Sequence, residues 1–169
     1  QAVRPFERVI VWGRNPDAAR ECAEYALGAG CAHVEVAASV AAAAADADVI
    51  CTVTGSPTAI LFGRDVRKGT HLCLVGASIP SSREVDDDLV TVSRYFVDYR
   101  GSALAQAGEL LDAIKAGRVT EAHILGEIGD VLSGTTVGRS IPDDVTVYKS
   151  LGVAAQDLVS ALVVYRHAL

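Results

Sequence analysis

The chain has 169 residues, half of them hydrophobic and 21% charged, with a formal net charge of −6 at pH 7. That length and hydrophobic share suit one compact domain with a sizeable core, and the acidic balance argues against a general nucleic-acid surface. The four cysteines, at 22, 31, 51 and 73, show no CxxC spacing and none adjoins a histidine, which argues against a zinc site or disulfide framework and fits a reducing cytoplasm.

Short apolar runs alternate with helix-like segments along the chain, the pattern of a parallel α/β sheet. Residues 8–12 (RVIVW) are the first expected strand. Asn15 and Pro16 then supply an N-cap and a first-turn proline for a helix over 17–27 that stops at Gly28. A strand at 33–37 (HVEVA), an alanine-rich helix near 40–45 and a continuously apolar strand at 48–54 (DVICTVT) follow. The next strand is expected at 71–75, and Cys51 and Cys73 inside these runs read as small buried hydrophobes. Asp86, Asp87 and Asp88 open a solvated helix, where carboxylates favour the dipole. A strand at 95–98 (YFVD) precedes helices over 102–116 and 123–132, with Glu127 and Asp130 one turn apart on a solvated face. An extended run at 145–148 leads to a closing helix from about Gly152, with Ala154, Leu158, Ala161, Leu162 and Tyr165 on one face. No linker divides the chain, so residues 1–169 read as one domain. The longest apolar stretch, 40–53, is broken by Asp46 and Asp48, so no membrane span is expected. The chain opens on Gln-Ala without a signal-peptide pattern, which points to a crop of something longer.

Doubly wound sheets bind ligands beyond the carboxyl ends of their strands. Three expected strand ends carry suggestive residues: Gly13-Arg14-Asn15, Thr52-Val53-Thr54-Gly55-Ser56 and Gly76-Ala77-Ser78. Converging on one edge, they would offer backbone N–H groups, hydroxyls and a guanidinium to a dinucleotide. An NAD site usually places a carboxylate after its second strand, for the ribose 2′-hydroxyl. Here that position reads Gly13 followed by Arg14, and an arginine suits a 2′-phosphate, although a solvent-facing arginine in a polar turn explains it as simply. The GxGxxG loop is missing; Gly28-Ala29-Gly30 follows a helix and precedes a strand, as a C-cap does. In a dinucleotide fold the phosphate loop would therefore precede residue 1. His33, His71, His123 and His167 are too scattered for a catalytic triad, and no metal site is expected.

The stretches VWGRNP, DVICTVT, HLCLVGASIPSSRE, YFVD, ILGEIGDVLSG and VTVYKSLGVAAQDLVSA occur in an order and spacing that resemble the ornithine cyclodeaminase/mu-crystallin family over nearly the whole chain. The resemblance implies an α/β, doubly wound, Rossmann-like parallel sheet, incomplete at its N-terminal side. Gln1-Ala2 resembles the tail of the family's GxGxQA phosphate loop. What would precede it is the first strand, the loop glycines and a domain for substrate binding and homodimer formation, on which the closing helix packs. By the same resemblance Gln1 lies near the cofactor phosphates and Arg14-Asn15 near the adenosine ribose. Thr54 and the backbone of Leu74, Val75 and Gly76 line the nicotinamide side, Ser150 touches the cofactor and Leu151 approaches the substrate. Arg14, with Gly13 where NAD-using members carry Asp, implies NADP(H) before NAD(H).

One departure bears on the chemistry. Ornithine cyclodeaminases read roughly GGDxPGKxE where this chain reads GASIPSSRE, so their acid/base aspartate falls on Ser78 and a cofactor-side lysine on Ser82. A hydroxyl does not titrate near neutral pH unaided, so Ser78 cannot do a carboxylate's work. Mu-crystallin-like ketimine reductases read GAS at this point. The expectation is therefore an NADP(H)-dependent reductase of cyclic ketimine carboxylates such as pyrroline- or piperideine-2-carboxylate, with Ser78 hydrogen-bonding the substrate or relaying a proton. The alternatives are an amino-acid cyclodeaminase or dehydrogenase using NAD, and a non-catalytic NADPH or small-molecule binder.

Overall fold

The computed structural model of the chain describes residues 5–168. They fall into two compact units, one ending at Ala47 and one beginning at Asp48.

In the first unit, β1 (Arg8–Val11) and β2 (His33–Val36) form a parallel pair in the register Arg8↔His33 to Val11↔Val36. Between them runs α1 (Pro16–Gly28), which buries Ala19 and Ala23. Its start follows from local chemistry: the Asn15 side chain accepts from the Asp17 N–H at 2.9 Å, and Pro16 fills the position that needs no donor. Its exit uses Gly30 at φ +93°, a conformation that costs a side-chain-bearing residue dearly. Then α2 (Val40–Ala44) is capped by Ser39, whose hydroxyl accepts from the Ala42 N–H at 3.1 Å.

The second unit holds a five-stranded, wholly parallel sheet in the order β3-β4-β7-β5-β6. Its strands are β3 (Val49–Thr52), β4 (His71–Leu74), β5 (Arg94–Val97), β6 (Ile124–Glu127) and β7 (Thr146–Lys149), so the last strand in sequence fills the middle of the sheet. Among them lie α3 (Asp87–Val92), α4 (Arg100–Gln106), α5 (Gly108–Lys115) and α6 (Ile128–Leu132), and α7 (Ala154–His167) follows. Parallel strands with intervening helices make this a doubly wound, Rossmann-like α/β sheet. Side chains alternate across it. One face carries Leu72, Leu74, Val147, Lys149, Tyr95 and Val97, all buried, and α5 covers it, since Glu109 meets Lys149 there.

The structure revises four sequence expectations. The segment 123–132 is not one helix: Ile124–Glu127 is a strand paired with β5, and only Ile128–Leu132 is helical. The helix expected over 102–116 is two, broken at Ala107 (ψ 88°). Glu127 is not on a helix face but caps α6, in a reciprocal box with Asp130. Cys51 is exposed and Cys73 half-buried, on the sheet face opposite α5. The helix expected at Asp86–Asp88 forms, with the Asp86 carboxylate accepting from the Leu89 N–H at 3.0 Å as its N-cap.

Candidate functional site at the carboxyl edge of the sheet

Because every ladder is parallel, the carboxyl ends of β3, β4, β7, β5 and β6 share one edge of the five-stranded sheet. The loops leaving that edge are fixed by carboxylates that accept backbone N–H groups.

The first is Glu84, which is fully buried. Its Oε1 accepts from the Thr54 N–H at 2.6 Å and the Thr54 hydroxyl at 2.8 Å. Its Oε2 accepts from the Thr52 hydroxyl at 2.7 Å, the Gly76 N–H at 2.9 Å and the Ala77 N–H at 3.3 Å. Three of these partners are amide N–H groups, which can only donate, so both oxygens act as acceptors. One side chain thereby binds the ends of β3 and β4 together. The two loops approach so closely at Gly76 that a Cβ there would sit 2.1 Å from the Thr54 carbonyl oxygen and 2.5 Å from Glu84 Oε1. Glycine is required here by space rather than by φ.

The second is Asp98, at the end of β5. Its Oδ1 accepts from the Tyr99 N–H at 2.8 Å, and its Oδ2 from the Leu151 and Gly152 N–H groups at 2.6 and 2.7 Å. The turn leaving β7 is thus held from below, with Gly152 at φ +86° completing it. Farther along, Glu127 Oε1 accepts from the Arg100 N–H at 2.9 Å, tying the start of α4 to the end of β6.

Beneath the edge lies a buried charge cluster. Lys149 and Glu109 are both fully buried, with Nζ 2.9 Å from Oε1, and Lys149 also donates to the Ala77 carbonyl. That ion pair lacks hydrogen-bond geometry, and neither Glu109 oxygen has another hydrogen-bond partner among the described residues. The Tyr95 hydroxyl is likewise unpartnered there. Burial, with the Glu109 charge adding to it, pushes the Tyr95 phenol well above its ordinary range.

On the opposite sheet face, Cys51 and Cys73 stand in register on β3 and β4. A hydrogen bond from Cys73 brings the Cys51 thiol down to about 7, and the same bond with burial pushes Cys73 up. Cys73 Sγ lies 3.6 Å from His71 Nε2, whose ring is kept below its usual range by burial and then by the Arg139 charge.

The expected site residues distribute as follows. Thr54, Leu74, Val75, Gly76, Ser150 and Leu151 all lie at the carboxyl edge of the five-stranded sheet. The Ser150 N–H donates to the Leu74 carbonyl at 2.9 Å, so the β7 exit is sewn to β4. Ser78 is exposed, as are Ile79, Pro80 and Ser81 after it. Ser82, by contrast, turns inward and donates its hydroxyl to the Ile79 carbonyl at 3.1 Å. In the first unit, Arg14 is exposed just beyond β1, and the Asn15 side-chain oxygen Oδ1 is engaged as the α1 cap. Gln1 lies outside the described residues. Sequence reasoning missed Glu84, Asp98, Glu109 and Lys149; a charged residue inside an apolar strand, as in VTVYKS, was the one available signal. No group of His, Cys, Asp or Glu among the described residues is arranged to hold a metal ion. No helix among them is long and apolar enough to cross a membrane.

Two hydroxyl oxygens, Thr54 and Ser150, stand at this edge with their protons given to Glu84 and Asp98, which leaves them lone pairs to accept with, and the side chains of Val53 and Val75 are exposed beside them. The model of the ornithine cyclodeaminase/mu-crystallin family matches residues 1–169. Ketimine reductase mu-crystallin of Mus musculus is 39% identical over 160 residues, covering 95% of this chain and 47% of that protein. Delta(1)-pyrroline-2-carboxylate reductase of Thermococcus litoralis, solved with NADH and L-proline, superposes with a TM-score of 0.94 at 28% identity, over 99% of this chain and 52% of that one. The iminosuccinate reductase of Paracoccus denitrificans, solved with NAD+, gives a TM-score of 0.87 at 32% identity, over 95% and 48%. The chain spans about half the length of the curated relatives it matches.

Proposed function

The chain belongs to the ornithine cyclodeaminase/mu-crystallin family, and from that premise we propose that it is the cofactor-binding domain of an NADP(H)-dependent enzyme that reduces the C=N bond of cyclic ketimine carboxylates. The two compact units are read as parts of that one domain, residues 1–169. The observation that carries the reductase reading is Ser78: a hydroxyl stands exposed at the tip of the β4 loop, where deamination would call for a titrating carboxylate.

A reduced nicotinamide, when bound, supplies the hydride to the imine carbon. The rest is the work of this chain's residues. Thr54 and the Leu74–Gly76 backbone form the wall on the nicotinamide side, held in place by Glu84. Ser150 contacts the cofactor and Leu151 faces the substrate, on a turn whose N–H groups Asp98 already engages. Ser78 hydrogen-bonds the substrate nitrogen and passes it a proton from water, since an unassisted hydroxyl has none to spare at neutral pH. Arg14 would pair with the 2′-phosphate, while Gln1, expected at the pyrophosphate, lies outside the described residues. NAD(H) remains the competing cofactor, because the similar solved structures hold NADH and NAD+. The full-length enzyme is read as a cytoplasmic homodimer, with the exposed apolar side chains of α7 (Leu158, Leu162 and Tyr165 among them) covered by the remainder of the protein.

The test is an assay of the full-length protein with NADPH, NADH and pyrroline-2-carboxylate, followed by loss of reduced-nicotinamide absorbance, beside an ammonia assay with ornithine. Ketimine-dependent oxidation without ammonia release supports the reading. Ammonia from ornithine would overturn it, and tight NADPH binding with no turnover on any ketimine would make the protein a binder.

A further inference from the structure

Lys149 occupies a position where an apolar side chain would serve the fold better. In register it stands between Leu74 of β4 and Val97 of β5, on the sheet face that α5 covers, and it is fully buried. Removing an ammonium from water costs several kcal/mol, and a buried ion pair is on average no more stabilising than apolar residues of the same volume. Glu109 supplies the counter-charge, 2.9 Å away. A bystander pair would need nothing more, yet the ammonium also donates to the Ala77 carbonyl.

That second contact falls at a particular place. The Ala77 N–H is taken by Glu84 at 3.3 Å, and the Gly76 N–H by the same carboxylate at 2.9 Å. Ala77 is therefore gripped through its N–H by a negative charge and through its C=O by a positive one. Beyond it, Ser78, Ile79, Pro80 and Ser81 are exposed. The peptide joining Ala77 to Ser78 is planar, so a fixed carbonyl sets the direction of the Ser78 N–H and the position of its Cα. The Ala77 carbonyl is the last tethered group before the exposed tip.

We infer that Lys149 is a positioning residue: with Glu109 as its buried counter-charge, it holds the Ala77–Ser78 peptide and so aims Ser78 at the substrate nitrogen. The inference rests on the reductase reading for what Ser78 does once aimed. Lys149 itself touches neither substrate nor cofactor. Its removal lowers kcat and leaves cofactor affinity alone, because Thr54 and Gly76 stay anchored to Glu84.

The experiment replaces both charges at once in the full-length protein, K149M with E109L, since a single replacement strands the other charge in the core. A second pair, K149L with E109M, likewise removes both charges and the donor to the Ala77 carbonyl, and stands in if the first pair does not fold. Three quantities are read: kcat on pyrroline-2-carboxylate, the Kd for NADPH, and hydrogen exchange, by mass spectrometry, of the Ala77 amide, whose N–H donates to Glu84. The expected result is kcat lower by about 100-fold, the scale of a 1 Å misplacement, with Kd unchanged and Ala77 exchange accelerated. Unchanged exchange overturns the inference whatever the activity does, and faster exchange with parental kcat overturns the link to the reaction. A parent enzyme that turns over no ketimine sinks the reductase reading instead, and the exchange data still decide whether Lys149 holds the loop.

Discussion

Replacing Glu84 with glutamine tests the central claim about the edge, that one acceptor-only group joins β3 to β4. Glutamine has the same shape but turns one of two acceptors into a donor, and each orientation fails. With its NH2 at the Oε2 position it faces the Gly76 and Ala77 N–H groups; at Oε1 it faces the Thr54 N–H. The second orientation is the milder. It leaves one buried N–H unsatisfied, which costs about 1–3 kcal/mol, and reduces the remaining charge-assisted bonds to neutral ones, at roughly 0.5–1 kcal/mol each. A loss of about 2.5–6 kcal/mol follows, or a fall in Tm of roughly 5–24 °C for a domain of 150–250 residues and less for a longer chain. Scanning calorimetry of the full-length protein, parent beside E84Q, reads it directly. NADPH titration of the folded variant should also show weaker binding, since Thr54 and the Gly76 backbone lose their anchor. A Tm within about 1 °C of the parent would refute the reasoning, because it would mean that the edge tolerates a donor where only acceptors fit.

Four further outcomes are expected. Gly76→Ala should destabilise the protein by at least about 3 kcal/mol in urea titrations, since the added Cβ would lie 2.1 Å from the Thr54 carbonyl oxygen. Arg14→Ala should weaken NADPH by at least about 10-fold while changing NADH by less than about 2-fold, in line with one lost charge-assisted contact; equal effects on both would remove Arg14 from phosphate recognition. In this 169-residue chain, iodoacetamide should label Cys51 well ahead of Cys73, at a rate that climbs with pH and levels off above about 7 as the thiolate fills. Cys73→Ala should move that midpoint upward, because the hydrogen bond that favours the Cys51 thiolate is gone.

Much of the fold is legible from local pattern. The runs RVIVW, DVICTVT and HLCLV read as strands because continuous apolar sequence bounded by turn residues has few other solutions. Asn15-Pro16 reads as a helix start because capping is local chemistry. The segment ILGEIGDVL misleads for an equally physical reason: Ile124, Ile128 and Val131 recur at helical spacing, yet pairing with β5 takes the first half into the sheet. Gly126 was the overlooked sign, since a Cβ there would press to 3.1 Å from the Thr136 side chain. Next to the break at Ala107, Gly108 is where a Cβ would meet the Ser82 carbonyl at 2.1 Å; nothing local to the helix announces that contact. The same applies to the candidate site. Thr54, Gly76 and Ser150 can be found at strand ends, whereas Glu84 acts on residues 30 and 32 positions upstream and Lys149 on one 72 positions away, partnerships that exist only once the sheet order is set.

The contrast between the gripped and the free parts of the β4 loop sets where this protein can change. A substitution at Ser78, Ile79 or Ser81 meets mostly solvent and costs within about 0.5 kcal/mol, while one at Gly76, Glu84, Glu109 or Lys149 disturbs several buried partners at once. Random mutation can therefore sample new side chains at the tip of this loop almost without risk to folding. Laboratory evolution aimed at new imine or amine chemistry has its cheapest starting library in those three exposed positions.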